Sequence, residues 1–194
     1  MTIKATTITT GEVRLSYEHL IEPYSMDGDP TKAKYSVTLL IPKSDTATKA
    51  RIDAAIQAAI QEGQTGKWGG AQVLQPAIPI HDGDGIRQNG EAFGLECAGC
   101  WVMTASSKQR QEIVDTGLNP ILDPTQVYSG MYARVCINFF AYNSSGKKGV
   151  GAGLGPVQKT RDGEPLGGRI TAEAAFGAPV PMTPRVDPIT GLPM

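Results

Sequence analysis

MYARVCINFFAYNSSGKKG, residues 131–149, decides how the fold is interpreted, because two different faces alternate along it. Every second residue from Met131 to Ala141 is apolar, which is the period of a β-strand with one face in a core. The alternate positions carry three aromatic rings, one cation and smaller groups: Tyr132, Arg134, Cys136, Asn138, Phe140 and Tyr142. The first face predicts a strand that packs in the core. The second face must contact another part of the protein, solvent or a ligand.

Positive charge accumulates on the same part of the chain. Between Met131 and Arg161 there is no Asp or Glu, whereas the cations are Arg134, Lys147, Lys148, Lys159 and Arg161. Nucleic acid single strands are held by basic grooves that follow the phosphates and by rings on which bases stack. The segment therefore predicts a single-strand binding site. The alternative, that Tyr132, Phe140 and Tyr142 are buried against the rest of the domain, stays open.

Composition limits the fold class and the number of domains. The 194 residues carry a formal net charge of −1, so only local clustering argues for a polyanionic partner. The 23 glycines and 14 prolines disfavour a helical bundle and favour short strands joined by turns. We expect a mainly β (α+β) fold with one domain over residues 1–177 and a Pro-rich flexible tail over 178–194.

The cellular location follows from two absences in the sequence. The amino end lacks the apolar core of a signal peptide, and no apolar run is long enough to span a bilayer. Three cysteines, Cys97, Cys100 and Cys136, do not form a closed disulfide framework and suit a reducing compartment. We expect a cytoplasmic protein that makes no contact with membranes.

Outside residues 131–149, periodicity predicts further strands and one helix. Alternation predicts a strand over 12–20, with His19 on its apolar face, and a second strand over 34–42. A stripe containing Ile52 and Ile56 predicts a helix over about 45–62, capped by Ser44 or Asp45 and ended by Gly63. The glycines that alternate over 149–155 indicate a bent strand or a close backbone approach.

Two loops add candidates for contacts to a nucleic-acid strand. Lys67 and Trp68 lie between glycines, where a flexible loop is able to lay a large ring over a groove. Lys108 and Arg110 follow a predicted strand and would extend the basic surface. The alternatives are that Trp68 closes one end of the core and that the second loop is merely solvated.

Catalytic and cofactor motifs find little support. Cys97 and Cys100 have the spacing of half a zinc site, but no second cysteine pair follows, and the glycines match neither nucleotide-binding loop pattern. His81, Asp82 and Asp84 form either a metal site or an ordinary turn, and the turn is favoured. We expect no enzyme activity, metal or cofactor.

Several stretches together, in order and spacing, resemble a family of bacteriophage proteins whose members include single-stranded-DNA-binding proteins. The stretches run from Val13 to Arg169: VRLSYEHL, KYSVTLLIPKSDTAT, GKWGG, IHDGD, MTASSK, VYSGMYARVCINFFAYNSSGKKGVGAGLGPVQK and TRDGEPLGGR. The resemblance implies an OB-type Greek-key barrel with long loops and a packed helix. It also implies non-catalytic, largely sequence-independent binding of single-stranded DNA in phage replication or recombination, in the cytoplasm of the infected host.

Carried over by position, the resemblance assigns the DNA groove to the outer face of residues 131–161. The residues concerned are Tyr132, Arg134, Phe140, Tyr142, Lys147, Lys148, Lys159 and Arg161. Phage replication or recombination proteins are possible partners, and the sequence leaves a monomer and a homodimer open. The last 19 residues contain Arg185 and Asp187 and are not acidic, so the acidic-tail mechanism common among such proteins is not expected.

Two rival functions remain. A structural protein of the phage particle fits the glycine-rich, β-rich composition and the near-neutral charge. A metal-dependent nuclease would use His81, Asp82 and Asp84.

Overall fold

The computed structural model describes residues 4–87, 89–167 and 177 of the chain. The predicted tail over 178–194 lies outside these residues. The strands are β1 (Thr7–Thr9), β2 (Val13–Tyr24), β3 (Lys34–Pro42), β4 (Ile80–Asp82), β5 (Cys100–Ser107), β6 (Ile113–Val114), β7 (Tyr132–Ser144) and β8 (Lys147–Arg161). A helix, α1 (Thr46–Thr65), connects β3 to β4. The predicted mainly β class with a packed helix is confirmed.

Five of the strands pair in a closed circuit. Antiparallel ladders join β2 to β3, β3 to β5, β8 to β7, and β7 back to β2. The circuit is completed where β5 and β8 run parallel, with Ser106 opposite Gly153. This order, with one parallel pair, matches a five-stranded OB-type Greek-key barrel. The short strands β1, β4 and β6 extend the sheet beside β7, β5 and β8.

The core is built from the inner faces of these strands. Met131, Val135, Ile137 and Phe139 of the quoted stretch are each at most 1% exposed, as the alternation predicted. They pack in one cluster with buried residues of β2, β3, β5 and β8. Because successive side chains of a strand point to opposite faces, this burial turns Tyr132, Arg134, Phe140 and Tyr142 toward the outside of the barrel.

Helix α1 covers part of this core and extends further than predicted. Asp45 caps its start, since the carboxylate accepts a hydrogen bond from the Thr48 N–H at 3.0 Å. The prediction that Gly63 ends the helix is wrong, because the helix continues to Thr65. Gly63 is needed for packing: a Cβ there would lie 2.6 Å from the Cβ of Ala141 and 3.0 Å from the ring of Trp68.

A β-bulge in β2 changes the face on which His19 lies. Ser16 pairs with Thr38, but the next registered pair is His19 with Ser36, so one extra residue is inserted. Ser36 and Thr38 both point outward, because Val37 between them is fully buried. The bulge therefore places His19 on the outer face. The prediction of an apolar-face His19 is wrong, since simple alternation counts no inserted residue.

No helix in the described part of the chain is long and apolar enough to cross a membrane. Cys97, Cys100 and Cys136 are free thiols.

Candidate nucleic-acid interface

The outer faces of β7 and β8 place aromatic rings opposite glycines. A tight turn with positive φ at Ser145 and Gly146 joins the two strands. The resulting register pairs Tyr142 with Gly149 and Phe140 with Gly151. The next outward pair is Asn138 with Gly153. The alternating glycines therefore form a stripe beside the aromatic positions of β7.

The rings lie across this stripe. A Cβ on Gly151 would come within 2.7 Å of Phe140 Cζ, and a Cβ on Gly149 within 2.6 Å of the Tyr142 hydroxyl oxygen. Phe140 remains 42% exposed in this position, and Tyr142 is half-buried. We call Phe140, Tyr142, Gly149, Gly151 and Gly153 the ring surface. The close backbone approach predicted for the glycines is present, because the rings of Phe140 and Tyr142 lie against Gly151 and Gly149.

Trp68 does not belong to the ring surface, and its prediction as a stacking residue is wrong. Its side chain is only 3% exposed and packs against Gly63. The indole Nε1–H donates a hydrogen bond to the Tyr142 carbonyl oxygen at 2.9 Å. A buried ring offers no face to a base, so Trp68 supports the ring surface from the inside. The neighbouring Lys67 is exposed.

Tyr132 and Arg161 are brought together, but mainly with each other. The Arg161 guanidinium lies 3.5 Å from the centre of the Tyr132 ring, and that of Arg14 lies 5.9 Å away. Arg161 also forms an ion pair with Glu12 at 2.9 Å. Its hydrogen bond to Glu12 raises the pKa of Arg161, while hydrogen bonds from Thr160 and Arg161 lower the pKa of Glu12. The Arg161 guanidinium and the Tyr132 ring are therefore largely engaged with each other and with Glu12.

Lys159 is also paired. Its ammonium lies 2.7 Å from the Asp162 carboxylate and donates to the Gln126 carbonyl oxygen at 2.8 Å. Its side chain is only 11% exposed. The hydrogen bond from Lys159 lowers the pKa of Asp162, with a smaller effect from Tyr128. The segment without acids is thus partly neutralised by Glu12 and Asp162, which come from outside it.

The other predicted cations form no ion pair within the described residues. Lys147 is exposed and Lys148 half-buried, and both begin β8, where alternation puts Lys147 on the face of Gly149 and Lys148 on the opposite face. Lys108 and Arg110 are exposed and follow β5, which lies next to β8 at Ser106. Arg134 is exposed on β7. These cations lie at both ends of the ring surface.

Sequence reasoning missed a line of mostly small, polar residues that continues the ring surface across the barrel. Registered pairs join His19, Ser36, Ser106, Gly153 and Asn138, one from each of the five strands, and we call this set the outer row. At its far end the ring of Tyr24, 53% exposed, stacks on His19 at 4.5 Å with an interplanar angle of 11°. The alternation of Ser36 and Thr38 with buried aliphatic residues was the available signal.

The three residues of the nuclease hypothesis do not form a metal site. The Lys43 ammonium bonds Asp82 at 2.5 Å and Asp84 at 2.7 Å. These hydrogen bonds lower the pKa of both carboxyls. The described residues contain no group of three or more His, Cys, Asp or Glu side chains placed to hold a metal ion. The turn interpretation accounts for Asp82 and Asp84, because Asp82 accepts a hydrogen bond from the Asp84 N–H.

Comparisons with known proteins agree with this geometry. A family model described as "Enterobacter phage Enc34, ssDNA-binding protein" matches residues 6–184. "Putative protein p50" of Acyrthosiphon pisum secondary endosymbiont phage 1 is 32% identical over 180 residues, which are 87% of this chain and 91% of the relative.

Solved structures give the same result. The single-stranded DNA-binding protein from bacteriophage Enc34 in complex with ssDNA is 30% identical, with a TM-score of 0.71, over 84% of this chain and 91% of that chain. The single-stranded DNA binding protein gp2.5 encoded by bacteriophage T7 is 15% identical, with a TM-score of 0.55, over 81% of this chain and 93% of that chain. At that identity, gp2.5 shows a shared fold only.

Proposed function

The chain belongs to the single-stranded-DNA-binding protein family of Enterobacter phage Enc34, and on this premise we propose that it binds single-stranded DNA on the outer face of its barrel. The observation that carries the proposal is the ring surface, where Phe140 lies over Gly151 and remains 42% exposed. A ring supported from below and open above is able to stack on a base, and such stacking tolerates any base.

The path of the strand follows from the residues around the ring surface. Bases would stack on Phe140 and Tyr142, and the outer row would form a narrow floor toward the His19–Tyr24 pair. Phosphates would contact the cations at the two ends, chiefly Lys147, Lys108 and Arg110, with further contributions from Lys148, Arg134 and Lys67. Tyr132, Lys159 and Arg161 would contribute less, since they are engaged within the protein.

The protein would act without catalysis, in phage DNA replication or recombination in the cytoplasm of the infected host. Residues 1–177 would form one DNA-binding domain, and phage replication or recombination proteins would be its partners. Support for the non-catalytic role comes from Lys43, which holds both Asp82 and Asp84 in ion pairs. Labelled single strands incubated with Mg²⁺ or Mn²⁺ should stay intact, and cleavage would favour the nuclease alternative.

Titration of a labelled oligothymidylate tests the proposal. An oligomer longer than about 16 nucleotides exceeds the site size of one OB fold, and its anisotropy should rise with protein concentration. Phe140→Ala and Tyr142→Ala should each weaken binding roughly fivefold to a hundredfold, the equivalent of ~1–3 kcal/mol per stacked base. Leu122→Ala is the matched control, because Leu122 is 86% exposed and lies outside the ring surface and the outer row. No binding at low salt would refute the proposal.

A further inference from the structure

Tyr17 occupies an unusual position in the bulge of β2. Its φ is +44°, a conformation that is uncommon for residues other than glycine and costs free energy. The Glu18 N–H next to it donates to Ser129 Oγ at 3.1 Å, and the Glu18 carboxylate accepts from the Leu20 N–H at 3.3 Å. These bonds hold the strained backbone, and the Tyr17 ring stands 63% exposed on the outer face.

The exposed ring separates two surface cavities. One has a volume of about 310 Å³ and the other about 460 Å³. Among their lining residues only Ser16 and Tyr17 are common to both. Tyr17 is therefore the wall between the two cavities. A bulge that turns one side chain out of a strand is a recurrent device beside binding sites.

The first cavity has the chemistry of a nucleobase site. Its walls include Phe93, with the Arg87 guanidinium 5.0 Å from the ring centre, and its floor includes Val102. The hydroxyls of Thr38 and Thr104, 3.0 Å apart, provide donors and acceptors for the edge of a base. A flat aromatic group with a polar edge fits apolar walls of this kind with a few polar groups.

The second cavity also favours a base over a phosphate. Glu96 lines it together with Leu166 and the hydroxyl of Ser129. A carboxylate repels a phosphate but accepts hydrogen bonds from base amino or imino groups. Both cavities lie on the face that carries the outer row, because Ser16 pairs with Thr38 and Thr38 with Thr104, beside the Ser36–Ser106 pair.

We propose that Tyr17 inserts between two consecutive bases of the bound strand, so that one base enters the Phe93 cavity and the next enters the Glu96 cavity. This inference rests on the proposed function, since it assigns a further contact to the same strand of DNA. A ring inserted between bases unstacks that step and stacks on both of its neighbours. The backbone strain at Tyr17 is then retained because it aims the ring.

Oligothymidylates with two adjacent 2-aminopurines test the insertion directly. The stacked pair gives an exciton band in circular dichroism, which disappears when a side chain separates the two bases. The 2-aminopurine pair is moved along the oligomer one position at a time. At one position the wild-type protein should abolish the exciton band, whereas Tyr17→Gly should not. Leu122→Ala is the control, because Leu122 is also an exposed large side chain but lies outside the ring surface and the outer row and lines neither cavity. The control variant should still abolish the exciton band at that position.

Stability measurements separate insertion from a structural role. Tyr17→Gly relieves the strain at positive φ, so its melting temperature should be equal to or above that of the wild type. Its affinity should nevertheless fall roughly fivefold to a hundredfold, while Tyr17→Phe keeps both properties. Unchanged affinity in Tyr17→Gly, or an exciton band that no step loses, would overturn the insertion. The proposed function would then stand, whereas a wild-type protein that binds no oligomer would refute the proposed function itself.

Discussion

The ring of Phe140 lies over Gly151 so closely that a methyl group at Gly151 would come within 2.7 Å of Phe140 Cζ. The two residues are also paired in the β7–β8 ladder. The glycine is therefore part of the binding surface, although it has no side chain of its own. The absence of a Cβ at Gly151 leaves the space that the Phe140 ring occupies, while the ring stays 42% exposed.

Gly151→Ala should reproduce the effect of Phe140→Ala on DNA binding. The added methyl group displaces the ring, and affinity for oligothymidylate should fall by up to about a hundredfold, the range of one lost base stack. The measurement is a double-mutant cycle with Gly151→Ala and Phe140→Ala. The double variant should bind no more weakly than Phe140→Ala alone, because both changes remove one stack. Additive losses would contradict the seating of the ring on Gly151.

Trp68→Ala should reduce stability rather than DNA binding. Removing a buried tryptophan costs about 3–5 kcal/mol in the free energy of unfolding, and here the hydrogen bond to the Tyr142 carbonyl oxygen is lost as well. Urea denaturation measures this loss, and anisotropy at a temperature where the variant is folded measures binding. A variant of wild-type stability that binds DNA poorly would restore Trp68 as a contact residue.

The salt dependence of binding should distinguish free cations from paired ones. Lys147→Gln should reduce the slope of log K against log salt by about 0.7, the value for one phosphate contact on a single strand. Lys159→Gln should change the slope much less, because its ammonium is held by Asp162 and the Gln126 carbonyl oxygen. Arg51→Gln, on the exposed side of α1, is the control cation and should leave the slope unchanged. Equal effects of Lys147→Gln and Lys159→Gln, with no effect of Arg51→Gln, would contradict the prediction and show that the Lys159 ion pair opens on binding.

Glu18→Gln should stabilise the protein at neutral pH and have no effect in acid. Burial raises the pKa of Glu18, against a smaller lowering by its hydrogen bond from the Leu20 N–H. A carboxyl with a raised folded-state pKa favours folding while it is protonated, and that contribution is lost as pH rises through this pKa. Thermal unfolding from pH 4 to pH 8 checks the prediction. A difference between variant and wild type that does not grow with pH would contradict it.

The period-two patterns were enough to predict several elements of the fold. Met131 to Ala141 alternate strictly, and the structure buries that face, because alternation is a property of the extended chain itself. The helix was equally visible from Ile52 and Ile56, which follow the helical period. The resemblance to phage proteins added the OB-type barrel. The same local patterns also predicted Phe140, Lys147 and Lys148 as candidate contact residues.

Contacts between distant residues were decided only by the tertiary structure. Glu12 neutralises Arg161 across 149 positions of sequence, and Asn138 meets Ser106 through Gly153 only because the barrel closes. A single inserted residue at Tyr17 turned His19 outward, and the packing of Gly63 buried Trp68. The sequence by itself thus determined where several strands form and which face of residues 131–141 is apolar, since those properties depend on near neighbours. Strand register and barrel closure decide which ring is supported, which cation is free and which side chain divides two cavities. Register and closure arise only when the whole chain packs.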